Sequence, residues 1–360
     1  MVRAHADTYR PSWAFKPNFS VADVWKGWSE ALDRLGCDVQ SYNLDDRLAF
    51  YGHALIETGN EDEEGRPELR RAMTDSQAIY AALQGLTHAL YTYWPDVVLF
   101  ISGFWMSPGL LHTIRRRNHK IVILHTECPY QDDTQLERAQ FADINIINDA
   151  ISLDRFSVLE GHAEYFPHAY RPSLHFPRPA GVAADPALTA DLAFVGTGFE
   201  SRIKFFEAMN LDGLDVLLGG FWPDLDTDSP LWKFLAHDTE LCVDNTETAV
   251  IYRNAKAGIN FYRREWESGM PVLGGWAMGP REVEMAACGL FFLRDPRAEG
   301  DELLSMLPTF RSPGEASEQL RWWLGHPDHR AYAAQMARAS IADRTFTNHA
   351  KRLLSLLESL

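Results

Sequence analysis

The chain has 360 residues, 46% of them hydrophobic and 12% aromatic, and a formal net charge of −16. That length exceeds one hydrophobic core and predicts two domains of roughly 170 residues. The acidic balance opposes non-specific attraction to nucleic acid or anionic lipid, while leaving room for a local basic groove. Cys37, Cys128, Cys242 and Cys288 are far apart and form no C-x-x-C pair, which argues against a zinc site or a disulfide framework and fits a reducing cytoplasm. No apolar run approaches the roughly 18 to 20 residues that span a bilayer, and no signal-peptide apolar region opens the chain, so a soluble protein is expected.

In chain order, residues 21–35 read as a helix, with Ser20 as N-cap and Gly36 as its stop. A strand is expected at 38–44, then a charged surface loop at 57–71 leading into a long helix from about Pro67 to Tyr93. Short apolar runs at 97–101, 121–124 and 144–147 alternate with helical patterns, the signature of a parallel sheet built from βαβ units. The basic run Arg115 to Lys120 falls where a helix ends and reads as a solvated surface complementing the helix dipole. Residues 167–186 hold five prolines and little periodicity, which marks an interdomain linker. Strand-like runs recur at 191–195, 214–218, 257–261 and 290–293, and helices at 315–324, 328–341 and 347–357 close the chain.

Two glycine turns at strand-to-helix junctions carry the chemistry. Gly274 to Gly279 feeds a helix that starts at Pro280 and stops at Gly289, followed by the apolar run Leu290 to Leu293. Such a junction presents backbone N–H groups and the positive end of a helix dipole, which suits a phosphate. Arg281 sits in the first turn, where the dipole alone prefers an acid, so a bound anion is the better account of it. The second turn, Gly196, Thr197 and Gly198, joins a strand to a helix beginning at Ser201, with Arg202 near its start. It departs from the dinucleotide fingerprint, because Ser201 stands where a third glycine belongs. Together Arg202 and Arg281 are expected to converge on one diphosphate.

Two open α/β domains facing each other place the loops after their strands around a shared cleft. In the first half the loop His125 to Pro129 follows such a strand. His125 is expected to orient a sugar or acceptor by hydrogen bonding, and Glu127 to take an acceptor proton. Asp132 with Asp133, and Asp224 with Asp226 and Asp228, resemble short metal-binding strings, but nothing nearby completes a ligand set, so no metal site is expected.

The block Gly279 to Gly289, with Trp322 to Arg330 and Thr345 to His349, resembles the C-terminal domain of CgeB-like glycosyltransferases, relatives of the group 1 retaining enzymes with the GT-B fold. The likeness extends to 191–198 and more loosely to 96–177. It implies an α/β protein of GT-B architecture, two Rossmann-like domains with parallel sheets facing a central cleft. The corresponding division is an acceptor-side domain at 1–170, a linker at 171–188, a donor-side domain at 189–345 and a C-terminal helix at 346–360 packing back on the first domain. The implied activity is a cytoplasmic, metal-independent, retaining transfer of a hexosyl or pentosyl group from a nucleoside-diphosphate sugar, UDP favoured, to an unidentified hydroxyl, without a further cofactor. On this resemblance Gly196, Thr197, Gly198 and Gly279 line the donor, Arg202 meets the diphosphate and Glu284 binds the ribose hydroxyls. Arg263 or Arg264 adds a second cation. Many group 1 relatives carry a sugar-contacting glutamate eight residues before the ribose-binding one, and here that position is Trp276. A silent nucleotide-sugar-binding module and a nucleotide-sugar epimerase are the alternatives, and the acceptor ranges from a polysaccharide precursor to a modified DNA base.

Overall fold

A computed structural model describes residues 2–4, 22–61, 64–104, 106–235, 237–264 and 274–360. The first part of the chain runs β1 (Val2–Ala4), α1 (Ala22–Arg34), β2 (Tyr42–Asn43), α2 (Leu44–Gly52), β3 (Leu55–Glu61), β4 (Pro67–Arg71), α3 (Asp75–Tyr93), β5 (Val97–Ser102), α4 (Pro108–Arg116), β6 (Lys120–His125), α5 (Asp132–Ala139), β7 (Ile144–Ile147), α6 (Leu153–Phe156) and β8 (His162–Tyr165). The six strands β2-β1-β5-β6-β7-β8 form one sheet in that order, every pair parallel. Val98 to Ile101, Ile121 to Leu124 and Ile144 with Ile146 and Ile147 are all buried, as strands covered on both faces require.

Two expectations change here. The charged stretch before α3 is not a plain loop, because β3 and β4 pair antiparallel. The long helix therefore starts at Asp75 rather than near Pro67, behind a capping box in which Thr74 and Gln77 satisfy each other's backbone N–H. The strand expected at 38–44 shortens to β2, since Leu44 already opens α2. Ser20, expected as the N-cap of the first helix, and Val21 lie outside the described residues.

The second part runs β9 (Leu192–Val195), α7 (Glu200–Ala208), β10 (Val216–Gly219), α8 (Asn245–Asn254), β11 (Gly258–Asn260), α9 (Pro280–Ala287), β12 (Phe292–Arg294), α10 (Ala298–Leu303), α11 (Pro313–Gly325), α12 (Pro327–Ser340) and α13 (Phe346–Glu358). Its sheet has the order β10-β9-β11-β12, again all parallel. Phe194, Phe206 and Trp222 are fully buried beside it, with Phe194 and Phe206 ring centroids 5.0 Å apart. Each such ring contributes roughly 2 kcal/mol through burial.

The chain separates into two compact units. Among the described residues, one comprises 2–4, 36–148 and 152–165; the other comprises 22–35, 149–151 and 166–360. The second unit thus includes α1, which packs against α13: Trp28 lies 6.3 Å from both Phe166 and Phe346, and 6.2 Å from His349. Arg171 ties to Glu30 at 2.5 Å on the same helix.

Candidate donor site

The strand order of the second sheet reverses at β9: the chain goes from β9 outward to β10 and then back past β9 to β11. In open α/β sheets ligands collect at the carboxyl ends of strands flanking such a reversal. Both arginines singled out in the sequence sit at this point. Arg281 donates from Nε to the carbonyl of Val195, at the end of β9 (2.7 Å), and from Nη1 to Oδ1 of Asn260, at the end of β11 (2.8 Å). Arg202 donates from Nε to the carbonyl of Phe261 (3.0 Å) and from Nη1 to that of Thr197 (2.8 Å). The two guanidinium groups therefore tie the same two strand ends together.

Their surroundings differ. Arg202 is only 6% exposed and lies over the rings of Phe194 and Phe199. Arg202 is engaged by backbone carbonyls and fixes the turn 196–198. Arg281 is partly exposed, lies 4.8 Å over Phe194, and has used two of its five N–H donors on the strand ends. Gly196 is needed beside it, since a Cβ there would collide with Nη2 of Arg281. Gly220 closes the other side: its φ is +109° and a Cβ would strike the carbonyl of Gly196. The turn itself is pinned by backbone bonds, Gly196 N–H to Gly219 O at 2.9 Å and Gly198 N–H to Phe221 O at 2.7 Å.

The larger correction concerns the loop before α9. Sequence reasoning expects its N–H groups to be available to a phosphate, yet four in a row are accepted by carboxylates of the chain itself. Oδ2 of Asp149 takes those of Trp276 (2.9 Å) and Ala277 (3.1 Å). Oε2 of Glu299 takes that of Met278 (2.7 Å), and Oε2 of Glu282 takes that of Gly279 (2.9 Å). The three acids are 3%, 1% and 0% exposed. Pro280, next in line, has no N–H to give.

Burying these acids has an electrostatic cost. Glu282 is pushed up to about 7 by loss of solvent, against the pull of the Tyr262 hydroxyl and the Gly279 N–H. Tyr262 is pushed upward as well, by burial first and by the Glu282 charge second. Burial also raises Asp149, which accepts a third N–H from Ile151 at 3.1 Å. Glu299 is paired with Arg344 at 2.6 Å. Arg297 lies 4.1 Å over the Tyr262 ring, so a cation stands over the ring of the phenol that donates to Glu282.

Of the other expected donor residues, Glu284 follows Arg281 by three positions on α9 and accepts a long hydrogen bond from Nδ2 of Asn245 at 3.4 Å. Arg263 is partly exposed, 5.4 Å over the Phe199 ring. Arg264 is bound to Asp295 by two contacts of 2.7 Å.

In the first unit the loop expected to begin at His125 begins one residue later. His125 closes β6 and is fully buried, with Nε2 2.8 Å from Oδ1 of Asn145 and its ring 4.7 Å from Phe156. Burial lowers it to about 4, so it is neutral at pH 7. The ring has no exposed surface, and among the described residues its buried Nδ1 has no hydrogen-bond partner. Glu127 is partly exposed, and its N–H and carbonyl brace the start of α5 through Gln135 and Gln131.

Sequence reasoning missed Asp149, Glu299, Tyr262 and Asn260. Among the described residues no group of three or more His, Cys, Asp or Glu side chains could hold a metal ion. No described helix is long and apolar enough to cross a membrane.

Residues 202–355 match the family model described as "Glycosyl transferase-like". No curated protein matches the chain in sequence. Among solved structures, an E. coli protein described as trehalose-6-phosphate bound with UDP-2-fluoro glucose is 13% identical, with a TM-score of 0.62 over 100% of this chain and 98% of that one. Sucrose-phosphate synthase from Thermosynechococcus elongatus is also 13% identical, with a TM-score of 0.60 over 93% of each chain. Anabaena HepE in complex with UDP is 10% identical, with a TM-score of 0.55 over 100% of this chain and 99% of that one. The fold is thus GT-B, with two Rossmann-like units, and the second unit carries a glycosyl transferase-like segment.

Proposed function

We propose that the chain is a glycosyltransferase of the CgeB-like branch, moving a sugar from a nucleoside diphosphate, UDP in preference, to a hydroxyl acceptor with retention at the anomeric carbon. The carrying observation is Arg281, held by the ends of β9 and β11 where the strand order reverses, within the segment that matches the glycosyl transferase-like model. The UDP and UDP-sugar seen with HepE and the E. coli protein support the choice of nucleotide.

Breaking the bond between the anomeric carbon and the phosphate oxygen leaves negative charge on the departing diphosphate and an oxocarbenium-like sugar. A guanidinium already fixed by two acceptors meets that charge without reorganising, and losing such a donor costs on the order of 3 kcal/mol in the transition state. We assign this task to Arg281, with Arg263 as a second cation and Arg202 holding the turn Gly196 to Gly198 in shape. Glu284, on the same helix as Arg281, accepts the ribose hydroxyls. These cations supply the positive field, so we read the reaction as metal-independent. Glu127 is the first-unit candidate for the acceptor proton.

The test is thermal melting with UDP and with GDP, followed by release of UDP from UDP-sugars. UDP is expected to raise Tm, and Arg281→Ala to remove most of that rise. No shift with either nucleotide sinks the proposal. Binding without release of UDP, for any acceptor or for water, reduces the protein to a nucleotide-sugar-binding module.

A further inference from the structure

The loop 276–279 leads directly into the turn of α9 that carries Arg281. Given the diphosphate reading above, the sugar is one bond beyond the phosphate that Arg281 meets, which puts this loop within reach of it. Every N–H of the loop is consumed, and each is consumed by an acid: Asp149 for Trp276 and Ala277, Glu299 for Met278, Glu282 for Gly279. A ligand approaching such a loop finds buried carboxylates behind it and no backbone donor in it. Hydroxyl groups, which can donate, suit these surroundings. A second carboxylate does not, because it needs donors that this loop has already given up and would face the Asp149 charge.

We propose that Asp149 is a positioning residue which, by clamping Trp276 and Ala277, shapes this loop to take an uncharged, hydroxyl-bearing donor sugar and to reject a sugar acid. Asp149 stands out from the other two acids. Glu282 caps its own helix and Glu299 answers to Arg344, whereas Asp149 comes from the short segment 149–151, which belongs to the second unit though it follows β7 in the chain. Its one carboxylate oxygen fixes two successive peptide groups, so it dictates the local backbone direction where Trp276 projects.

The experiment measures the affinity of the full chain for UDP, UDP-glucose and UDP-glucuronate by titration calorimetry. The wild type, Asp149→Ala and Asp149→Asn are compared, with urea midpoints recorded alongside. For the wild type, UDP-glucose is expected to bind at least tenfold more tightly than UDP-glucuronate. Asp149→Ala is expected to bind UDP within twofold of wild type while losing about tenfold for UDP-glucose. Asp149→Asn, which keeps an acceptor oxygen and drops the charge, is expected to recover UDP-glucose binding and to narrow the gap to UDP-glucuronate.

Equal wild-type affinity for the two sugars overturns the inference while leaving the transferase reading intact. So does an Ala variant that loses UDP and UDP-glucose in parallel, because that is the mark of a merely structural role. A wild type that binds none of the three removes the transferase reading and this inference together.

Discussion

At the bend 196–198 the N–H groups of Gly196 and Gly198 go to the carbonyls of Gly219 and Phe221; at 276–279 they go to the carboxylates of Asp149, Glu299 and Glu282. Both bends enter a helix that carries an arginine near its start, and by sequence both are glycine turns suited to an anion. The first contains no buried acid: its N–H groups pair with backbone carbonyls, and its Thr197 carbonyl accepts from the Arg202 guanidinium. The second is held by buried charge. Backbone pairing fixes a shape and leaves the local field alone, whereas carboxylate pairing fixes a shape and also makes that shape depend on which acids are ionised. A glycine-rich turn before a helix is therefore not enough to infer an anion site: the first question is whether the chain supplies the anion itself.

The contrast can be broken hardest at Gly220. Its φ of +109° and the collision of any Cβ with the Gly196 carbonyl leave no room for a side chain. Gly220→Ala is expected to cost roughly 3 kcal/mol or more in a urea titration. An unchanged midpoint would mean that the first bend yields, and that its pairing is not what holds it.

Glu282→Ala attacks the second bend. It takes the acceptor from the buried Tyr262 hydroxyl and leaves the Gly279 N–H only its 3.3 Å contact with that hydroxyl oxygen, and a loss of about 2 kcal/mol is expected by the same titration. A loss below half of that would show the loop to be held chiefly by Asp149 and Glu299.

The third prediction uses pH. Glu282 stands at about 7 in the folded chain against an ordinary 4.5, so between these values the folded state holds a proton that the unfolded state has released. Stability contributed by this group is complete below about 4.5 and falls as pH rises towards 7, by at most about 1.4 kcal/mol per pH unit. Relative to Glu282→Gln, the wild type should lose stability from pH 5 to pH 7. His125, lowered to about 4 from 6.5, acts in the opposite sense: its contribution is complete above about 6.5 and falls as pH drops towards 4. Parallel curves for wild type and Glu282→Gln would remove the charge from the account of the second bend.

The smallest effect is expected at Arg263. Resting over Phe199 and partly exposed, it contributes no more than about 1 kcal/mol to stability. Arg263→Ala should weaken UDP binding less than Arg281→Ala does, and the reverse order would move the main diphosphate contact to the end of β11.

The sheets were legible because doubly covered parallel strands are near-continuous apolar runs, as at Val97 to Ser102 and Leu192 to Val195. The glycine bends were legible for the same local reason. What closes the bends was not, because Asp149 lies 127 residues from Trp276 and Glu299 lies 21 from Met278, and no periodicity connects positions so far apart. His125 was misplaced because a polar residue after an apolar run reads as a strand exit. Here it continues the strand inward, since Asn145 on the neighbouring β7 supplies the partner that makes its burial tolerable. The helix start at Asp75 was obscured by the charged hairpin before it, whose strands β3 and β4 are almost wholly exposed and so carry no alternating pattern.

The packing of α1 against α13 sets an order of events at the ribosome. Helix α1 is made long before α13: Phe346 and His349, which cover Trp28, lie 318 and 321 residues downstream of it. At about 5 to 20 residues per second, α1 waits roughly 15 to 60 s for its cover. Until then Trp28 has Phe166 but not Phe346 or His349 against it, so the second unit becomes whole only after α13 has been made.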